Sequence, residues 1–108
     1  MTKLLLTLTN KMVAYKAYMP FIKDGAIFVP TTVVFKLGDE VEVVINLKEL
    51  NKSINVMGPV VWITPPASRT REGVGIRFVG ESGVEAKKML ATYLAGLPAK
   101  AKQETYTL

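Results

Sequence analysis

The sequence predicts a mainly β domain, a small antiparallel barrel or sandwich of five or six short strands with one carboxy-terminal α-helix. Through much of residues 4–78 apolar side chains recur at every second position, which is the period of a half-buried strand. Clusters of Gly, Pro, Asp and Asn separate these segments, and one apolar stripe with helical spacing follows them. With 108 residues the chain has the length of a single domain, so we expect one core.

The strands are predicted from alternation between turn signals. It is clearest in residues 41–47, where valine, isoleucine and leucine alternate with Glu42, Val44 and Asn46. Gly58 and Pro59 indicate a bulge or bend just before an apolar segment. The predicted strands are residues 4–9, 26–29, 41–47, 60–63 and 74–78, and the predicted turns are residues 23–25, 37–39, 51–53 and 65–72.

A helix is predicted after the last of these strands. Ser82 and Glu85 have the spacing of a capping box, in which each side chain bonds a backbone amide of the first turn. Apolar residues from Ala86 to Leu97 then form one amphipathic stripe, and Gly96 and Pro98 provide a stop. We expect the stripe to cover the open side of the barrel rather than to bind a partner. The domain is therefore assigned to residues 1–97 and a flexible tail to residues 98–108.

Composition argues against an enzyme. Histidine and cysteine are both absent, which excludes disulfides, thiolate chemistry, a histidine base and zinc sites built on these residues. The net charge is +5, but no run of five or more basic residues exists, so we interpret the lysines mainly as solvated side chains. No apolar run approaches the length of about 20 residues that spans a bilayer, and no signal peptide is recognised. A cytoplasmic protein without metal or cofactor is expected.

Three groups of residues are further candidate sites. Asp39, Glu40 and Glu42 are close in sequence, but they lie in a turn and at the start of a strand, where a solvated rim is expected. The segment 73–75 has the two glycines of half a phosphate loop but lacks its lysine and its following helix, so a strand bend is the preferred interpretation. Three arginines could clamp a phosphate or simply be solvated: Arg69, Arg71 and Arg77.

The segment 15–22 is unusually rich in large side chains. With period two, its two faces would both be apolar, and both cannot enter one small barrel. Aromatic residues and methionine also anchor protein interfaces, because they bury a large area for little rotamer entropy. Core packing and an exposed interface therefore both remain open for its residues, which include Tyr15, Tyr18, Met19, Pro20 and Phe21.

In order and spacing, four segments resemble the signature of PilZ domains, and together they extend over residues 3–97. The first, residues 15–31, is similar to the strand–turn–strand of that family. The others are Leu37-Gly38-Asp39-Glu40-Val41, Val60-Val61-Trp62 and Gly73-Val74-Gly75-Ile76-Arg77-Phe78. The resemblance implies a six-stranded antiparallel split β-barrel with one carboxy-terminal α-helix.

Most PilZ domains are receptors for cyclic di-GMP, and the resemblance departs from them at the ligand motifs. Those domains carry RxxxR in the amino-terminal segment and [D/N]xSxxG in the first turn. Here no arginine precedes Arg69, and the family alignment puts Phe21, Lys23 and Ala26 at the acid, serine and glycine positions. Arginines that pair with phosphates and stack on guanines are thus missing. We expect no direct binding of cyclic di-GMP.

These departures resemble the type IV pilus branch of the family. The resemblance implies a non-enzymatic adaptor for pilus biogenesis and twitching motility, which contacts the cytoplasmic assembly ATPase of the PilB type. In some lineages it also contacts a degenerate GGDEF–EAL regulator of the FimX type that senses cyclic di-GMP. The expected contact residues are Tyr15, Tyr18, Met19, Pro20 and Phe21, with Phe28 and Trp62 as neighbours.

Two other functions stay open on the sequence. One is a cyclic di-GMP receptor with an altered site, using Arg69, Arg71 and lysines. The other is non-specific binding of nucleic acid by a small basic barrel, in the manner of barrels that stack bases on aromatic side chains. The absence of a basic stripe argues against the second, so we expect no nucleic acid partner.

Overall fold

The computed structural model describes residues 2–65 and 71–95. They form six strands, two α-helices and one short 3₁₀ turn. In chain order these are β1 (Thr2–Leu8), α1 (Lys11–Ala17), β2 (Tyr18–Met19), β3 (Ala26–Pro30), β4 (Glu40–Leu47), the 3₁₀ turn (Lys48–Leu50), β5 (Lys52–Ile63), β6 (Gly73–Arg77) and α2 (Gly80–Leu94).

The six strands form one half-barrel sheet in the order β1-β4-β5-β6-β3-β2. The long strand β5 joins its two halves, because its first part pairs with β4 and its last part with β6. A register shift between Val60 and Trp62 marks a bulge close to the bend predicted at Gly58 and Pro59. The mainly β fold with one carboxy-terminal helix is thus confirmed.

One strand pair differs from the predicted antiparallel arrangement. β1 runs parallel to β4, with Thr2 opposite Val41 and Leu8 opposite Leu47. Parallel neighbours need a long crossover connection, and the chain from Leu8 to Glu40 provides one that includes α1. The sheet is therefore mixed.

The core lies between the concave face of the sheet and α2. The amphipathic stripe of α2 faces it as predicted, through Ala86, Leu90, Tyr93 and Leu94. Because the strands alternate, every second residue of β4 enters the core, and the others stay partly or fully exposed. The largest fully buried side chains are Leu8, Ile27, Ile45, Leu47, Ile76 and Leu90.

The extended conformation expected from residue 15 is wrong for the start of that segment. Residues Lys11–Ala17 form α1, which begins after Asn10, whose side-chain Oδ1 accepts a hydrogen bond from the Val13 N–H at 2.9 Å. Only the two residues of β2 are extended. The helix turns Ala14, Tyr15 and Ala17 into the core. The conformation of this segment therefore follows the Asn10 cap and the helical spacing of its buried residues.

The capping box expected at Ser82 is also wrong. α2 begins at Gly80, two residues earlier, and no side chain caps it. The first turn instead approaches the preceding strand closely: a Cβ on Gly83 would lie 2.8 Å from the carbonyl carbon of Phe78. The predicted stop at Gly96 and Pro98, the boundary at residue 97 and the tail all lie outside the described residues.

β5 is much longer than the strand predicted over residues 60–63. It begins at Lys52, within the predicted turn, and its first half pairs with β4 through residues of low hydrophobicity such as Ser53 and Asn55. The polar character of these positions is explained by the exposure of their face of the sheet.

Candidate interaction surface on the sheet

The convex face of the sheet, which points away from the core, brings four sequence-distant residues together. In the register of the strands, Gly75 of β6 stands opposite Phe28 of β3 on one side and opposite Trp62 of β5 on the other. Ala26 and Phe28 are two residues apart on β3, so their side chains share a face of the sheet. Met19 of β2 stands opposite Ala26 and therefore lies on the same face. We call Met19, Phe28 and Trp62 the convex-face cluster.

The members of this cluster contact one another across Gly75. The rings of Phe28 and Trp62 have centroids 6.0 Å apart and meet edge to face, at 70°. A Cβ on Gly75 would lie 2.9 Å from Met19 Sδ and 3.1 Å from Trp62 Cβ. Met19 is only 7% exposed although it lies outside the core cluster, whereas both rings are half-buried.

Gly73 and Gly75 leave space for the side chains that lie against them. The sequence predicted instead that they let the strand bend. β6 pairs with β3 without a register shift from Gly73 to Arg77. A Cβ on Gly73 would lie 2.6 Å from Phe28 Cζ, so the missing side chain lets the ring lie against the strand. The two glycines make a shallow trough, and Phe28 and Met19 occupy it.

Pro20 and Phe21 come directly after Met19 in the chain and form a tight exposed turn. The Ile22 N–H bonds the Met19 carbonyl at 3.3 Å, and the Gly25 N–H bonds the Ile22 carbonyl at 2.8 Å. Phe21 is 72% exposed, which is unusual for an aromatic side chain held in an ordered turn.

Tyr15 and Tyr18 do not join this surface. Tyr15 is 7% exposed and belongs to the core cluster. Tyr18 packs against the core from β2, with its ring centroid 6.2 Å from that of Phe78. Of the seven predicted contact residues, the structure therefore assembles Met19, Phe28 and Trp62, exposes Pro20 and Phe21, and turns the two tyrosines inward.

Arg77 lies at the margin of the same face. It stands opposite Ala26, which in turn stands opposite Met19. Its Nε is buried and has no hydrogen-bond partner among the residues that the structure describes, although a buried donor normally has one. Arg71 is exposed, and Arg69 lies outside the described residues, so the clamp of three arginines stays a prediction.

The acidic residues form a solvated rim, as expected. Asp39 Oδ2 accepts a hydrogen bond from the Lys36 N–H at 2.9 Å and thereby closes a turn. Glu42 accepts a hydrogen bond from Asn55 Nδ2 at 2.9 Å and lies 3.5 Å from Lys3 Nζ. Within residues 2–65 and 71–95, no group of three or more potential metal-ligating side chains is gathered.

A concave feature that the sequence did not predict lies beside α2. A groove of about 980 Å³ runs between α2 and the start of β5. In it the Tyr93 hydroxyl donates a hydrogen bond to Glu49, and Lys11 Nζ lies 5.7 Å from the centre of the Tyr93 ring. Burial, this hydrogen bond and the nearby carboxylate raise the pKa of Tyr93 to about 12.

No pattern in the sequence could have located this groove, because its lining comes from four separate parts of the fold. Its lining residues are Lys11, Glu49, Leu50, Lys52, Ser53, Ile54, Glu85, Lys88, Met89, Thr92 and Tyr93.

None of the described helices has the length and apolarity needed to cross a bilayer.

Comparison with known families gives one match. The family model of the PilZ domain matches residues 2–96, which is most of the chain and includes both β5 and α2. No curated protein matches the sequence.

Proposed function

The chain belongs to the PilZ domain family, and we propose that it is a non-enzymatic adaptor that binds proteins through the convex face of its sheet. PilZ domains are in general binding domains, and the family match indicates no catalytic activity. The finer proposal is that this chain serves type IV pilus biogenesis and twitching motility without itself binding cyclic di-GMP.

The observation that carries the proposal is the convex-face cluster with the exposed ring of Phe21 beside it in the chain. Phe28 and Trp62 are half-exposed, yet each ring is held by the other and by the trough at Gly73 and Gly75. Large rigid apolar side chains lose little entropy on binding and are typical anchors of protein interfaces.

Arg77 adds a polar element to this surface. Its buried Nε has no hydrogen-bond partner within the described residues. A carboxylate or carbonyl oxygen of a bound protein could accept a hydrogen bond from the guanidinium, and bonds to a charged group contribute about 1.5–3 kcal/mol. An apolar surface with one arginine at its margin favours a protein partner over a small polar ligand.

The residues at the positions of the cyclic di-GMP motifs support the adaptor hypothesis. Phe21 and Lys23 are exposed in the turn after β2, and Ala26 is fully buried in β3. None of them supplies the carboxylate, the hydroxyl or the open glycine that would read a guanine. Losing several such contacts at about 1.5–3 kcal/mol each would abolish a micromolar site.

We propose two partners from the resemblance to the pilus branch. The first is the cytoplasmic assembly ATPase of the PilB type, and the second is a degenerate GGDEF–EAL regulator of the FimX type. In this scheme the regulator senses cyclic di-GMP, and the adaptor transmits the signal to the pilus motor through protein contacts. The alternative is a cyclic di-GMP receptor with an altered site.

Two measurements test the proposal together. Calorimetric titration with cyclic di-GMP at physiological salt should give no saturable heat, whereas one or two ligands bound per chain would establish the receptor alternative. A pull-down with the purified assembly ATPase should recover a stoichiometric complex. Failure to bind both the ATPase and the GGDEF–EAL regulator would overturn the pilus role, even if no cyclic di-GMP is bound.

A further inference from the structure

The groove beside α2 is long enough to hold a short chain segment. From α2 it is lined by residues 85, 88, 89, 92 and 93, which lie on one face of the helix. From Glu85 to Tyr93 this face extends for about 12 Å, which is about two turns of a second helix or about four residues of extended chain. The opposite wall is the 3₁₀ turn and the first residues of β5.

The lining combines apolar and cationic side chains. Leu50 is 43% exposed, and Ile54 and Met89 are half-buried, so apolar surface is accessible between the walls. Methionine adapts its shape to different apolar partners. Lys52 and Lys88 are exposed, one on each wall, so a segment lying in the groove would have an ammonium group on either side.

The free charges of the groove favour an acidic occupant. The only salt bridge within the described parts of the chain joins Lys3 and Glu42, outside the groove, so Lys52 and Lys88 have no carboxylate partner there. Glu49 already accepts the hydrogen bond of the Tyr93 hydroxyl. The lining carries three lysines against two carboxylates, an excess of one positive charge, and the whole chain carries a net charge of +5.

A nucleic acid fits the groove less well than a protein. The lining has no arginine, and its one aromatic ring, Tyr93, is only 6% exposed and lies beneath Lys11. No stacking platform for bases is therefore present. The apolar surface of Leu50, Ile54 and Met89 would stay uncovered against a phosphate backbone.

We propose that this groove binds an acidic amphipathic segment of a second protein. Apolar side chains of the segment contact Leu50, Ile54 and Met89, and its carboxylates pair with Lys52 and Lys88. The proposal goes beyond the adaptor function and does not depend on it, because α2 covers the concave face of the sheet and the convex-face cluster lies on the opposite face. Two separate surfaces allow two proteins to be bound at once.

The test uses the isotope-labelled full chain and a synthetic helical peptide of about twelve residues with leucine on one face and glutamate on the other. Saturable shifts are expected in the amide resonances of residues 50–54 and 88–93. The resonances of Phe28 and Trp62 should not move. A matched peptide with lysine in place of every glutamate should not bind, and added salt should weaken binding of the acidic peptide.

Two double variants distinguish binding in the groove from a general effect of the net charge. Lys52→Glu with Lys88→Glu should weaken binding of the acidic peptide about tenfold or more. Lys16→Glu with Lys87→Glu changes the charge equally, at two exposed lysines outside the groove, and should leave most of the affinity. Equal loss in both double variants would overturn the proposal.

Three other outcomes would also overturn it. The acidic peptide could fail to saturate, or its shifts could map to the convex face. A single-stranded oligothymidylate of similar charge could shift the same groove resonances as strongly as the peptide, which would make the groove a general polyanion site. Because the adaptor proposal is tested with cyclic di-GMP and the assembly ATPase, failure of one proposal is distinguishable from failure of the other.

Discussion

Phe28 and Trp62 meet edge to face across Gly75, with 6.0 Å between their ring centroids. They come from strands β3 and β5, which are not neighbours, and the glycine of β6 between them lets the two rings approach. The pair holds each ring in place while leaving part of it accessible. A preformed apolar surface of this kind binds with a smaller entropic cost than a mobile one.

We predict that alanine at the two trough glycines destabilises the fold to different extents. In Gly75→Ala the new Cβ meets Met19 Sδ, which can move, and Trp62 Cβ at 3.1 Å, so we expect a loss of about 1 kcal/mol. In Gly73→Ala the Cβ meets the Val29 carbonyl oxygen and Phe28 Cζ. Because a backbone atom cannot move aside easily, a loss of about 2–3 kcal/mol is expected.

Urea denaturation of both variants checks this order, and the fluorescence of the single tryptophan reports on the cluster. The emission of folded Gly75→Ala should differ from that of the wild type, because Trp62 is displaced. Equal stability of the two variants would contradict the contacts described for the trough.

The sequence predicted most of the fold because its signals are local. Val41 to Leu47 shows the clearest alternation and lies in β4, and the stripe around Leu90 faces the core. The prediction was wrong at the start of α2, where Gly83 lies close to Phe78, and for β1, which pairs with β4 in parallel. Neither contact leaves a local pattern.

The candidate surface could be predicted from the sequence only in part. Composition identified the segment around Met19 and Phe21, but not which side chains point outward, because that depends on the helical conformation of α1. The partnership of Phe28 and Trp62 depends on the register of β3, β6 and β5, and hence on three strand pairings. For Arg77 the sequence leaves a phosphate clamp and solvation open, and its position beside the convex-face cluster depends on the pairing of β6 with β3.

For the proposed partner surface, we predict a contrast between two equally exposed apolar residues. Phe21 is 72% exposed two residues after Met19 of the convex-face cluster, and Leu5 is 69% exposed on β1. Phe21→Ala should weaken binding to the assembly ATPase about thirtyfold, which corresponds to about 2 kcal/mol. Leu5→Ala should leave the affinity nearly unchanged. Both variants should unfold at the wild-type urea concentration, so calorimetric affinities can be compared directly.

The buried tyrosine of α1 should behave differently from Phe21. Tyr15→Ala removes a large side chain from the core and should lower the free energy of unfolding by about 3 kcal/mol or more. Any loss of partner binding would then follow from unfolding. Thermal denaturation beside the binding measurement separates the two causes: loss of affinity without loss of stability would place Tyr15 in the interface and contradict its burial.

The cap of α1 gives a further prediction. Asn10→Ala leaves the Val13 N–H without its side-chain acceptor and should cost about 1 kcal/mol of stability. Asn10→Asp keeps an acceptor at the same position and should restore the stability. Chemical denaturation of the two variants measures the difference, and equal losses in both would mean that the hydrogen bond to Val13 contributes nothing.

Ionisation of Tyr93 should lower the stability of the fold at alkaline pH. Its pKa is raised from 10.0 to about 12 by burial, by the hydrogen bond to Glu49 and by the charge of that carboxylate. Below pH 10 the phenol is neutral in both states, and its contribution to stability is fully present. As the pH rises towards 12, the unfolded chain ionises first, so the folded state loses that contribution.

Tyr93→Phe has no ionisable group here, and the wild type should therefore lose more stability than this variant between about pH 10 and 12. Urea midpoints across this range measure the difference, and parallel curves for the two proteins would contradict the coupling between Tyr93 and Glu49.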